Sequence, residues 1–154
     1  MPISDRIGPH LPALRRYARA LAGTQSSGDA YVAATLETIL VDPALMREGE
    51  DDKMRLFALL SRIIASLPVS MGRGASSLVP GAETPFDLSG VPPRGRQALL
   101  LATVEGFSVE ETAEILEAET TAIRALLDAA FAEIAAQAET GIMIIEDEPL
   151  IALD

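Results

Sequence analysis

The sequence predicts an all-α fold of two helical subdomains joined by a linker, on three observations. Apolar residues make up 49 % of the chain but aromatics only 4 %, which favours small, closely packed helices over a β-sandwich. Apolar side chains recur at three- and four-residue spacing in successive blocks. Between the blocks, residues 68–91 hold four glycines, three prolines and four serines with no sustained period, the composition of a linker.

The elements follow in order. Residues 10–22 set Leu11, Leu14, Tyr17, Ala18 and Leu21 on one face, and Gly23 is the expected stop. Residues 29–41 give Val32, Leu36, Ile39 and Leu40 behind Asp29 as N-cap. A short helical turn is expected at 43–47. Residues 51–67 bring Met54, Phe57, Leu60, Ile64 and Leu67 into line before Pro68. After the linker, a helix opens at Pro92 or Pro93 and runs to about Val104, where Glu105-Gly106 breaks it. Ser108 and Glu111 form a capping box for a short helix to about Leu116. A turn at 117–120 leads into a long helix to about Ala138, with Ile123, Leu127, Ala130 and Ile134 as its core stripe and Gly141 as its end. The tail, "GIMIIEDEPLIALD", runs four apolar residues into three acids, as a buried strand would.

Charge is divided unevenly. Residues 1–98 carry eleven basic side chains against ten acids, whereas residues 99–154 carry Arg124 alone against thirteen acids. The C-terminal third should therefore repel nucleic acid. One histidine, His10, and no cysteine leave no Ser-His-Asp, Cys-His or zinc constellation, so no enzyme is expected. Glu110, Glu111 and Glu114 are placed where a helix N-terminus favours acids. Arg15, Arg16 and Arg19 are expected on a solvated helix face. No stretch approaches the roughly 18–20 apolar residues that span a bilayer. The N-terminus has no signal pattern. A cytoplasmic protein with no membrane partner is the expectation.

The most specific pattern is "PPRGRQALLLATVEGFSVEETAEIL" followed by the long helix, the layout of a helix-turn-helix. It resembles region 4 of extracytoplasmic-function sigma factors, and "LRRYARALAGT" with "RLFALLSRIIAS" resembles two helices of their region 2. The sequence departs from that family where DNA would be held. In place of a basic recognition helix stand Leu126, Asp128, Ala129, Phe131 and Glu133, with Arg124 the one cation. Leu126 and Phe131 lie off the core stripe. Either the chain itself buries this helix on two sides, or the two residues belong to an apolar docking surface.

"IMIIEDEPLIALD" is similar to the first strand and helix start of a response-regulator receiver domain. That likeness implies Glu146 and Asp147 as a Mg²⁺-holding pair, functional only in a complete receiver, and no cofactor in this chain by itself. A sigma-like body followed by a receiver resembles the PhyR-type response regulators of the bacterial general stress response. The expected division is then 1–67 sigma region 2-like, 68–91 linker, 92–139 sigma region 4-like, and 140–154 the truncated start of a receiver, present as an orphan strand. The resemblance implies an anti-anti-sigma factor, a mimic that binds an anti-sigma factor of NepR type and frees an extracytoplasmic-function sigma factor under control of receiver phosphorylation. The alternative is a DNA-binding sigma factor fragment. The expected partners are the anti-sigma factor and the rest of the receiver, not DNA. On the residues, the partner groove is expected between the helices at 29–41 and 120–138, with Leu126 and Phe131 on one wall and Tyr31 on the other.

Overall fold

The computed structural model describes residues 2–47, 49–66 and 91–147, the last eight as backbone only. Among these residues every regular element is helical. The order is α1 (Ile3–Ile7), α2 (Leu11–Ala22), α3 (Gln25–Val41), α4 (Asp52–Ser66), α5 (Pro93–Thr103), α6 (Val109–Leu116) and α7 (Thr120–Asp147), with 3₁₀ turns at Gly8–His10 and Pro43–Leu45. The linker expected at 68–91 lies outside the described residues except for Val91.

Local chemistry fixes most boundaries. Gly23 ends α2 at φ 82°, a left-handed conformation that costs glycine nothing. The expected cap of the next helix is corrected. Thr24, not Asp29, accepts the backbone N–H of Ser27, and α3 begins a turn earlier than its apolar pattern suggested. Asp29 is instead drawn to Arg19, which donates to both carboxylate oxygens at 3.0 Å. Gly28 makes that extra turn possible: a Cβ there would sit 2.6 Å from the Arg19 Cα, so α2 and α3 cross closely only because it has none. The capping box of α6 forms as expected, with Ser108 Oγ accepting from the Glu111 N–H and the Glu111 carboxylate accepting from the Ser108 N–H.

Where it falls on described residues, the orphan strand expected at 140–154 is also corrected, since α7 continues as helix through Gly141 to Asp147, and 148–154 lie outside the described residues. A strand must find a paired neighbour for its N–H and C=O groups, and a helix satisfies them within itself. A short apolar run serves either state, so periodicity could not decide between them.

The core is continuous. Leu14, Tyr17 and Leu21 of α2, Ile39 of α3, Leu56, Phe57 and Leu60 of α4, Leu101 of α5, Ile115 of α6 and Ile123 of α7 are almost fully enclosed in one cluster. Leu40 departs from its expected inward face and is 76 % exposed, beside Val41 at 87 %. Helix α2 packs on α3 and α5, α4 on α3 and α6, and α7 on α5 and α6. Helices α2 and α4 thus connect the N-terminal bundle to the C-terminal one.

Candidate partner-binding surface

The seam between the two bundles converges on the Glu105-Gly106-Phe107 turn. Gly106 adopts φ 76°, which lets the chain reverse while the N–H groups of Glu105 and Phe107 return to Leu100 and Leu101. The Glu105 side chain is 1 % exposed and accepts a forked pair of bonds from Arg16 at 3.0 and 2.8 Å. Its backbone carbonyl accepts from Lys53 Nζ at 2.9 Å, and that ammonium lies 4.8 Å from the Phe107 ring centroid. Phe107 meets Phe57 edge-on at 5.3 Å, and Phe57 meets Tyr17 in the same way at 5.2 Å. One turn of the C-terminal bundle is therefore held by α2 and α4 together. The Tyr17 hydroxyl finds Ser61 at 3.2 Å, and burial pushes its phenol pKa up.

This seam was not legible as a site. The arginines expected on a solvated face of α2 pair within the chain: Arg16 with Glu105, Arg19 with Asp29, and Arg15 with Asp29 at 3.9 Å. Hydrogen bonding to Glu105 raises the Arg16 pKa above its ordinary value, and hydrogen bonding to Arg19 holds the Asp29 carboxyl below its own. Arg6 fixes α1 in the same manner, gripping Asp52 and the carbonyls of Met46 and Arg47. A basic cluster shows its charge in the sequence, but its acids lie up to 89 positions away.

The three residues singled out for partner binding are not brought together. Tyr31 is in the core, 4 % exposed, and its hydroxyl has no hydrogen-bond partner among the described residues. Leu126 is half-buried and packs on the edge of the core, where its carbonyl lies near Gly95. Phe131 is the exposed one, at 47 %. The two helices expected to wall the groove, at 29–41 and 120–138, belong to different bundles: α3 packs on α2 and α4, and α7 on α5 and α6. The stripe of Ile123, Leu127 and Ala130 is buried as expected, with Ile134 against its edge. On the outer face of α7, Arg124 stands 3.6 Å from Glu110, while Asp128 is exposed.

Glu146 and Asp147 lie in the last turn of α7, not at a strand end. The cation pair that the likeness implies belongs to the sheet of a complete receiver, which lies outside the described residues. Among the described residues no helix is long and apolar enough to cross a membrane.

Comparison with known proteins bears on this arrangement. Residues 7–61 match the family described as the sigma2 domain of PhyR, and residues 88–137 match the sigma-like domain of the response regulator PhyR. The chain is 46 % identical to the phyllosphere-induced regulator PhyR of Methylorubrum extorquens, over 100 % of this chain and 57 % of that protein. It is similar to the anti-anti-sigma factor PhyR of Bartonella quintana, solved as a co-crystal with the anti-sigma factor NepR. The identity is 37 % over 88 % of this chain and 50 % of that one, with a TM-score of 0.70. It is also similar to the PhyRSL–NepR complex of Sphingomonas sp. Fr1, solved by NMR, at 36 % identity over 88 % of each chain and a TM-score of 0.70. The chain thus spans little more than half the length of the Methylorubrum protein and half of the Bartonella chain.

Proposed function

The chain belongs to the PhyR family, and from that premise we propose that it acts as an anti-anti-sigma factor, a sigma-like decoy that binds and sequesters an anti-sigma factor of NepR type. The observation that carries this reading is the match over 88 % of both chains to a sigma-like domain solved with NepR. Electrostatics agree with it. A DNA reader draws its non-specific affinity from cations on phosphates, and α7 has one, already beside Glu110. A decoy must keep the shape its target grips and has no need of DNA affinity.

Binding the anti-sigma factor frees an extracytoplasmic-function sigma factor for stress transcription. Phosphorylation of a complete receiver domain, with Mg²⁺ held there, is the proposed gate. The role is non-catalytic and cytoplasmic. Leu126 and Phe131 contribute the α7 part of the docking surface. Tyr31 joins it where α3 shifts enough to release the buried hydroxyl.

Replacing Leu126 and Phe131 together by Asp tests this directly. Affinity for NepR, read by calorimetry, should fall below detection while far-ultraviolet circular dichroism keeps its helical amplitude. Unchanged affinity would remove α7 from the surface.

A further inference from the structure

A cleft of about 380 Å³ opens at the seam, with α4 on one side and α6 on the other. Met54 and Ala58, half-buried, line it with the enclosed Ile115. Its two cations are already engaged within the chain. Arg62 pairs with Glu117 across the seam, and Arg55 reaches the Leu45 carbonyl at 2.8 Å and Glu50 at 3.7 Å. Asp51 accepts from the N–H groups of Lys53 and Met54, as an N-cap does. Four carboxylates thus face two arginines, and Glu114 is exposed on the α6 side. The cleft combines an apolar lining with a rim two charges negative.

We propose that this seam cleft is a second docking site for the anti-sigma factor, receiving one large apolar side chain from an amphipathic helix whose neighbouring residues are lysine or arginine. The inference rests on the function proposed above and adds the chemistry of the partner's helix. The apolar lining selects the anchor, as in other helix-in-groove complexes. The rim selects its flanks, because a basic helix meets Glu114 and leaves the internal ion pairs unbroken, whereas an acidic one would face like charge in a chain of net charge −11. One wall comes from each bundle, so an anchor seated here bridges α4 and α6. Binding is thereby coupled to the closed seam at Glu105.

The test titrates the chain with NepR from Bartonella quintana and from Sphingomonas sp. Fr1 at low and moderate salt. Ala58→Arg, which fills the cleft and offsets one of its two excess negative charges, should weaken binding at least about tenfold, as loss of an interface anchor does. Glu114→Arg changes only an exposed position, so the test does not depend on Ala58→Arg folding. It should weaken binding about fivefold at low salt and flatten the salt dependence. If both folded variants bind within twofold of the unaltered chain, the seam site is overturned and the anti-anti-sigma reading stands. An unaltered chain that binds neither NepR overturns both.

Discussion

Helices α2 and α7 use charge in opposite ways. On α2, Arg15, Arg16 and Arg19 all lie beside carboxylates of the same chain, one of them 89 positions away and buried. On α7 the single cation stands beside Glu110, Asp128 is exposed, and a large apolar residue, Phe131, faces outward nearby. The difference separates architecture from recognition. Cations of the first bundle help hold the two halves in register, and acids of the second give the exterior a sign that repels DNA. A sigma-like shape is retained while its electrostatic purpose is exchanged.

Substitutions that break the architectural side should have the largest effects. Arg16→Ala strands the buried Glu105 carboxylate and is expected to cost about 3 kcal/mol in urea unfolding, at the low end for an orphaned buried charge because water can enter where the half-exposed Arg16 leaves. Glu105→Gln keeps the shape and should cost less, about 1–2 kcal/mol. Equal losses from the two would mean that the pair is not an asymmetric clamp. Gly28→Ala comes next, at about 2 kcal/mol, because overpacking against the Arg19 backbone outweighs the gain in helix propensity. A neutral result would show that α2 and α3 can separate freely.

Acid sensitivity sharpens the same contrast. Hydrogen bonding to Arg6 holds the Asp52 carboxyl below its ordinary value, as Arg19 holds Asp29. A lowered folded-state pKa contributes stability that is fully present above the unfolded value near 4 and is lost as pH falls through the folded value. The melting temperature should therefore drop between pH 5 and pH 2, and Asp52→Asn should drop less over that interval from a lower start. The smallest stability effect belongs to the recognition side. Asp128→Lys on the exposed face of α7 should change unfolding free energy by no more than about 0.5 kcal/mol, yet weaken NepR binding measurably.

The helices and the helix-turn-helix were legible in the sequence because their signals are local. Gly23 and the Ser108–Glu111 box act within one turn of the helices they bound. The long-range contacts were not legible. Gln25–Gly28 reads as polar loop, and only the close crossing under Arg19 makes it the first turn of α3. Arg16 is half-exposed as a solvated face implies, but its partner stayed hidden because Glu105 lies across the fold. Tyr31 looked available for a partner because an aromatic residue on an amphipathic helix shows no sign of which side closes over it. Residues 142–147 read as a strand because a short apolar run serves either state, and in the described fold they continue α7.

The most direct measurement adds the chain to a preformed complex of NepR with its sigma factor and follows release of the sigma factor by fluorescence anisotropy, with a promoter-DNA gel shift at low salt alongside. The account predicts release as the chain approaches equimolar amounts, and no retarded DNA. A sigma factor that stays bound to NepR, or a chain that shifts DNA by itself, would contradict it.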